Sequence, residues 1–275
     1  MDKKQLELRL LLEALYSLSG FDFRKYNQLS IMRRVEHRMR INNIATISRL
    51  TEMIIYDEEL LKTVLNDFSI SVTEMFRDPT FFRAFREQVV PELQKLKKIR
   101  IWHAGCATGE EVYSMAILLQ EEGLLERTML YATDMNERVL EKARQGALPL
   151  RKMQAYTKNY MLAGGTEGLS QYYKTNDSYA MFHGYLKEKI MFAQHNLVTD
   201  QSFQEFDVII CRNVLIYFTP ELQHKVHHLF YDSLAEHGFL GLGDKETLQF
   251  TPLAQKYGTI NAVERIYQKK IESIK

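Results

Sequence analysis

Leu8, Leu11, Leu12 and Leu15 recur at steps of three and four, the spacing that lines one face of a helix. Helical patterning continues to about Asp67 with no glycine after Gly20. A second helix is expected over 29–40, with Ile31, Val35 and Met39 inward. Its outward arc carries Arg33, His37 and Arg40, flanked by Arg34 and Arg38, because steps of three and four keep side chains neighbours on a helix. Asp78-Pro79 reads as an N-cap followed by proline at the first helical position, which predicts a helix running from there toward Lys98. Residues 69–77 are left as a connector holding Thr73, Phe76 and Arg77.

Beyond Arg100 the texture changes to short apolar runs alternating with helical stretches. Runs at 99–103, 129–133, 189–193, 206–211, 239–243 and 265–269 read as strands, with helices after the first two and over 220–236. In the helix after the first strand, Val112, Met115, Ala116 and Leu119 share a face. This alternation predicts an α/β fold, a mostly parallel sheet with helices on both faces. Ligands of such sheets sit at the carboxyl ends of the strands, near the point where strand order reverses. Between 145 and 192 the alternation is interrupted by Gly164-Gly165, Tyr172-Tyr173 and the run 179–182, read as a helical piece followed by a small inserted antiparallel hairpin.

The stretch Ile101-Trp102-His103-Ala104-Gly105-Cys106-Ala107-Thr108-Gly109-Glu110-Glu111 is a strand breaking into a glycine turn that opens a helix. A phosphate cradle would end in Lys and Ser/Thr, whereas two carboxylates repel phosphate. The expected guest is a nucleoside without a polyphosphate, held by its hydroxyls or by a positive centre. Asp134 ends the next strand, where an acid commonly binds ribose hydroxyls, although its spacing from the turn is looser than the roughly 20 residues of dinucleotide folds. An alternative role for Asp134 is to cap the helix that begins near Glu137. Cys211-Arg212-Asn213-Val214-Leu215-Ile216-Tyr217-Phe218 lies at the end of another strand, and His195-Asn196-Leu197 at the end of the one before it, so Asn196 and Asn213 are candidates to face one crevice.

A chain of 275 residues, 45% of them hydrophobic, suffices for a large domain with a smaller one attached. The formal net charge of +1 argues against bulk attraction to nucleic acid or an anionic membrane, so electrostatic recognition must come from local patches. Cys106 and Cys211 are too few for a disulfide framework, and no signal-peptide order is present, so a reducing cytoplasmic setting is expected. No apolar run approaches the roughly 18 residues needed to span a bilayer.

Taken in order, the arginine-rich helix, Thr73-Glu74-Met75-Phe76-Arg77, the Ala-Thr-Gly-Glu-Glu turn, Ala132-Thr133-Asp134, Asn196-Leu197 and the segment 211–218 resemble one family across about the whole chain. That family is the CheR-type protein-glutamate O-methyltransferases, which modify bacterial chemotaxis receptors. The resemblance implies a class I S-adenosylmethionine methyltransferase, Rossmann-like, over residues 69–275, with an all-helical receptor-recognition domain over 1–68 and an inserted antiparallel β-subdomain at about 170–193. It implies S-adenosylmethionine as methyl donor, S-adenosylhomocysteine as product, glutamate methyl esters on receptors, and no metal. Position by position, it makes Asp134 the partner of the ribose hydroxyls and places Glu111 beside the methionine amino group or the sulfonium. Ser71, Thr73 and Arg77 would reach over the cofactor, and Asn196, Leu197, Asn213 and Val214 would line it. Tyr217 would stand next to the departing methyl, and Arg77 would pair either with the incoming carboxylate or with that of the cofactor. Arg33, Arg34, Arg38 and Arg40 would dock the helical, glutamate-rich methylation region of a receptor.

A glutamate carboxylate, with a reference pKa of about 4.3, arrives ionised and needs no general base, so the implied catalysis is alignment. The sequence Arg-Asn-Val-Leu replaces the Asn-Pro-Pro-Tyr of amine methyltransferases, which disfavours an amino substrate. Three rivals remain: a methyltransferase of the same fold acting on another protein or a small carboxylic acid, a nucleic-acid module using the arginine helix, and an idle cofactor-binding scaffold. Near-neutral charge speaks against the second and the presence of Asp134, Arg77 and Tyr217 against the third. Two departures from the family pattern stand out. Val112 follows the Glu-Glu pair where proline is common, and Gly243-Asp244-Lys245-Glu246 keeps only the glycine and glutamate of Gly-His-Ser-Glu. The inserted hairpin also looks shorter than in members that grip a receptor tail. Tail-peptide tethering is therefore expected to be absent, and a titration with such a peptide should show no tight association.

Overall fold

The computed structural model describes residues 2–69, 73–249 and 251–271. The chain divides into two compact units, one made of 1–70 with 215–226, the other of 71–214 with 227–275.

In the first unit lie α1 (Lys3–Ser19), α2 (Gln28–Ile41), α3 (Ile47–Tyr56) and α4 (Glu58–Phe68). Each starts where a side chain satisfies its first N–H groups: Asp2 with Gln5 in a capping box, then Asn27, Thr46 and Asp57. Gly20, at φ 76°, ends α1 in the left-handed conformation that glycine adopts without a Cβ penalty. The leucine face expected for α1 is buried, as are Ile31 and Val35 of α2, and Met39 is half-buried. Phe23 packs edge-on against Tyr26 and Phe68, and Tyr26 against Phe218. Segment 215–219 joins this unit through backbone bonds, Asn27 N–H to the Tyr217 carbonyl (2.7 Å) and Thr219 N–H to that of Lys25 (2.9 Å). This unit therefore takes in 215–226 besides the residues expected for the helical domain.

The second unit runs α5 (Pro79–Gln88), α6 (Val90–Leu93), β1 (Ile99–Ala104), α7 (Glu110–Glu121), β2 (Thr128–Asp134), α8 (Glu137–Gln145), β3 (Ala147–Pro149), α9 (Met153–Leu162), β4 (Tyr173–Thr175), β5 (Tyr179–Phe182), α10 (Gly184–Lys187), β6 (Ile190–Gln194) and β7 (Phe206–Cys211). It resumes within α11 (Pro220–Ser233) and closes with β8 (Leu234–Leu242), β9 (Tyr257–Asn261) and β10 (Ile266–Lys269). Among the described residues seven strands form the main sheet in the order β6-β2-β1-β7-β8-β10-β9. Pairs from β6 through β8 are parallel, and β10 runs antiparallel to both its neighbours. This is the expected α/β architecture. The buried inner strands read as continuous apolar runs, as parallel strands covered on both faces do. Trp102 of β1 lies against His195, Phe203, Phe206 and Phe230, and its indole N–H donates to Thr133 Oγ1 at 2.8 Å.

Three expectations need correction. The helix predicted from Pro79 to Lys98 stops at Gln88, because Pro91 has no N–H for an intrahelical bond and the chain restarts as α6. Asp78 precedes that helix, but its carboxylate caps none of the described N–H groups and goes elsewhere, as shown below. The inserted hairpin expected at about 170–193 is a sheet of order β3-β5-β4 that draws its first strand from 147–149, whereas β6 at 190–194 belongs to the main sheet. β3 is three residues with a proline, too short for a periodic signal.

α7 is buried nearly all round, beyond the single face its periodicity suggested, because it packs against β2, α5 and α10. At its end the Glu121 carboxylate pairs with Arg86 of α5 and accepts the hydroxyls of Tyr160 and Tyr172, the latter at 3.0 Å. The Arg86 and Glu121 side chains are only 9% and 2% exposed. Glu121→Ala leaves a buried guanidinium and two hydroxyls without this acceptor, and is expected to lower unfolding free energy by about 3–5 kcal/mol in urea titration.

Candidate cofactor site

The order of strands brings the ends of β6, β2, β1 and β7 side by side, and chain order reverses between β1 and β7. Asn196, Asp134, the turn after β1 and Asn213 thus follow one another along one edge, at the switch point where α/β sheets bind ligands.

The turn is held from below and from the side. The N–H groups of Gly105 and Cys106 both donate to the Thr133 carbonyl (2.8 and 2.9 Å). Gly105 has φ 81°, and a Cβ there would lie 2.6 Å from Val214 Cγ2, so only glycine lets the turn and the 213–214 segment meet. Asp134 Oδ2 accepts from Ala107 N–H and Oδ1 from Asn136 N–H, each at 3.0 Å. The N-cap of α8 is Asn136, whose side chain accepts from Arg138 N–H, so Asp134 is not spent on that helix in the usual way. Burial pushes its carboxyl above the ordinary value, with the Asn136 and Ala107 N–H groups acting against that.

Both acids of the first turn of α7 are engaged. Glu110 is buried and accepts the Thr108 hydroxyl at 2.6 Å, and burial raises its carboxyl. Glu111 Oε1 lies 3.1 Å from His103 Nδ1, and its Oε2 accepts from Arg212 Nη1 at 3.1 Å. Burial raises the Glu111 carboxyl, but the His103 hydrogen bond and the Arg212 charge outweigh it and hold the group below the usual carboxylate range. Arg212 also donates to the Arg77 carbonyl (3.2 Å), pairs through Nη2 with Asp78 Oδ2 (2.6 Å), and lies over the Phe81 ring at 4.2 Å. Asp78 therefore serves as an anchor for Arg212.

These bonds fix residues 77 and 78 just before α5. Phe76 and Asp78 sit at φ 48° and 53°, a left-handed region costly for side chains larger than glycine. Phe76 N–H donates to Ser114 Oγ at 2.9 Å, and Asn159 Nδ2 donates to the Met75 carbonyl at 3.1 Å. Thr73 and Arg77 lie on this connector, both half-buried. Ser71 falls outside the described residues. Asn213 has φ 61°, and its N–H, with those of Val214 and Gly243, donates to the buried Glu246 carboxylate at 3.0, 2.9 and 2.6 Å. The Asn196 side chain accepts from Val198 N–H at 3.0 Å, its own N–H donates to Asp200, and Leu197 is buried beside it.

Sequence reasoning passed over His103, Asp78 and Arg212 as site residues. Arg212 stood inside a quoted motif, and its charge beside a buried strand end was the available signal. Glu246 was noticed only as a retained family residue. Cys106 and Cys211 are buried with their thiols pushed well above the usual range, so neither supplies a thiolate near neutral pH.

Tyr217 lies in the other unit, with the Arg34 guanidinium 6.0 Å from its ring centroid. Within that unit Arg34 donates to the Asp67 carbonyl (2.8 Å), and Arg38 forms a two-point pair with the Asp67 carboxylate (2.6 and 2.9 Å). Arg33, His37 and Arg40 are exposed. Of the four arginines expected to dock a partner, Arg33 and Arg40 present their charge outward, whereas Arg34 and Arg38 are tied to α4.

Residues 71–263 match a family model described as CheR methyltransferase, SAM binding domain, and residues 6–69 match one described as CheR methyltransferase, all-alpha domain. A curated relative from Pseudomonas putida KT2440, named "Putative methyltransferase Cher3", is 44% identical over 264 residues, 96% of this chain and 97% of its own. A chemotaxis protein methyltransferase of Listeria innocua is 30% identical over 88% of this chain and 90% of its own. Chemotaxis protein methyltransferase 2 of Pseudomonas aeruginosa is 28% identical over 85% of this chain and 84% of its own. The donor set fits S-adenosylmethionine: an acid at the end of β2 suits a ribose diol, ionised Glu111 suits an ammonium or sulfonium, and the acidic start of α7 is unsuited to phosphate.

Glu246→Ala removes the acceptor of three backbone N–H groups at the 213–214 turn. It is expected to cost about 1–3 kcal/mol per N–H left unsatisfied and to weaken S-adenosylhomocysteine binding, read by urea titration and calorimetry together.

Proposed function

Because the chain belongs to the CheR methyltransferase family, whose members include S-adenosylmethionine-dependent enzymes of chemotaxis, we propose that it methylates glutamate side chains in the helical cytoplasmic region of chemotaxis receptors, giving methyl esters. The observation that carries this reading is the acid-lined edge at the strand-order reversal, where Asp134 and Glu111 are each held by two donors. S-adenosylmethionine supplies a methyl group made electrophilic by its sulfonium. Asp134 accepts the ribose hydroxyls, and Glu111 faces the methionine ammonium. Asn196, Leu197, Asn213 and Val214 line the bound nucleoside, and Ser71, Thr73 and Arg77 cover it. Arg77 and Tyr217 orient the reacting carboxylate and methyl, an assignment that rests on the family pattern.

A glutamate nucleophile is already ionised near neutral pH, so the residues present have alignment to provide, not proton abstraction. Holding the oxygen, methyl carbon and sulfur in line contributes up to about 7–11 kcal/mol in favourable cases. Exposed Arg33 and Arg40 attract the acidic receptor helices. Exposed pairs contribute only about 0–1 kcal/mol each, so docking is weak and weakens further with salt.

With labelled donor and purified receptor helices, the enzyme is expected to transfer base-labile methyl groups, with Arg33→Ala/Arg40→Ala raising KM more than it lowers kcat. Base-stable product, or turnover confined to a small acid, refutes the receptor-ester reading. Asp134→Ala is expected to weaken S-adenosylhomocysteine binding by roughly ten- to a hundredfold, the worth of hydrogen bonds to a charged acceptor. Equal binding by wild type and variant would mean that the cofactor lies elsewhere.

A further inference from the structure

His103 is the fifth residue of β1, and its side chain is 0% exposed on a face it shares with Ile99 and Ile101. An imidazole buried among aliphatic strand positions needs hydrogen-bond partners. Nδ1 has one, Glu111 Oε1 at 3.1 Å, while Nε2 is buried with no partner among the described residues. A carboxylate only accepts, so Nδ1 carries the hydrogen. A second proton on Nε2 would bury an N–H with no acceptor among the described residues, which selects the neutral ring with Nδ1 protonated.

The consequence lies in the charge count. Glu111 Oε2 is bonded to Arg212, and Arg212 is shared with Asp78. One guanidinium faces two carboxylates, and a neutral His103 leaves this cluster with one negative charge in excess. A cation in its place would pin Oε1 equally well but cancel that excess.

We propose that His103 is a positioning residue for the amino-acid end of the cofactor, a neutral donor that fixes the Glu111 carboxylate for the α-ammonium group without neutralising it. The inference rests on the reading that Glu111 faces that ammonium.

The first test uses wild-type protein without ligand, so no variant need fold. Ring 15N shifts of His103 near neutral pH are expected to show Nδ1 protonated and Nε2 bare, and an imidazolium or the opposite tautomer overturns the proposal. The second compares calorimetric binding of S-adenosylhomocysteine with that of adenosine, which lacks the amino-acid end, for wild type, His103→Leu and His103→Asn. Leucine removes the donor, whereas the asparagine amide places an N–H near the position of Nδ1. His103→Leu is expected to weaken S-adenosylhomocysteine binding roughly tenfold and adenosine binding less than about twofold, with His103→Asn restoring most of the loss. Equal losses for both ligands, or equal behaviour of both variants, reduce His103 to packing and overturn the proposal. Glu111→Gln separates the two levels: if it leaves S-adenosylhomocysteine binding intact, the underlying reading fails, and if it weakens binding while His103→Leu does not, this inference alone fails.

Discussion

The candidate cofactor edge depends on one buried guanidinium. Arg212, with its side chain 2% exposed, faces two carboxylates from different parts of the second unit, Asp78 before α5 and Glu111 in the first turn of α7. The Glu111 side chain is 17% exposed, and removing one member of so buried a pair costs about 3–5 kcal/mol, whereas Asp78, 42% exposed, is screened by solvent and contributes less. The same clamp holds a strained segment. Phe76 and Asp78 are left-handed without being glycine, a conformation costing about 1–3 kcal/mol each that persists only where the surroundings over-determine it. Arg212 supplies the side-chain pair to Asp78 and the bond to the Arg77 carbonyl, while Ser114 holds Phe76 N–H. These bonds hold residues 76–78 with Phe76 and Asp78 in their left-handed conformation.

A second anion does for the 213–214 turn what Arg212 does for the connector. Past β7 the backbone leaves the sheet at Asn213, φ 61°, and its N–H groups have no strand to pair with. Glu246 takes two of them together with Gly243 N–H. A Cβ on Gly243 would meet Glu246 Oε2 at 2.7 Å and Asn213 N at 2.9 Å. This explains why glycine and glutamate stay where the two residues between them differ from the family pattern. Gly105 closes the other side by admitting Val214, so the edge is shaped by two close backbone approaches and two buried ionic groups.

What was legible in the sequence divides along the same line. The strands at the sheet centre were readable because parallel pairing demands unbroken apolar runs, and Asp134 stood out as a candidate because it is last in such a run. The left-handed connector was not, since Phe76 and Asp78 carry no glycine to mark it, and Asp78-Pro79 imitates an ordinary cap. Arg212 and Asp78 are 134 positions apart, Asn213 and Glu246 33. Pairings at such separations leave no periodic trace, and neither does the bridge from Tyr26 to Phe218 that takes 215–226 out of the sheet-forming unit. β3 escaped for the opposite reason, being too short to have a period. Residue type told where acids and amides gather, but their partners became visible only with the chain folded.

The charges of this edge also bear on the proposed chemistry. Glu111 and Asp78 share the buried Arg212, and Asp134 adds a further acid at the end of β2, an arrangement that favours an ammonium and a sulfonium but opposes a carboxylate substrate. Glutamate as nucleophile is compatible with such an edge only after the cofactor's positive charges have offset the excess acid. On the proposed reading, an ionised Glu111 would favour the positively charged donor, and with that charge offset the edge would no longer oppose an anionic nucleophile. An amine nucleophile would face the reverse order, attracted before the cofactor arrives and repelled after it, besides requiring a base to take its proton. With both thiols protonated and Glu111 committed to His103 and Arg212, these groups provide no such base. The electrostatics of the cluster and the absence of the amine-type motif thus point the same way, toward a nucleophile that brings its own charge.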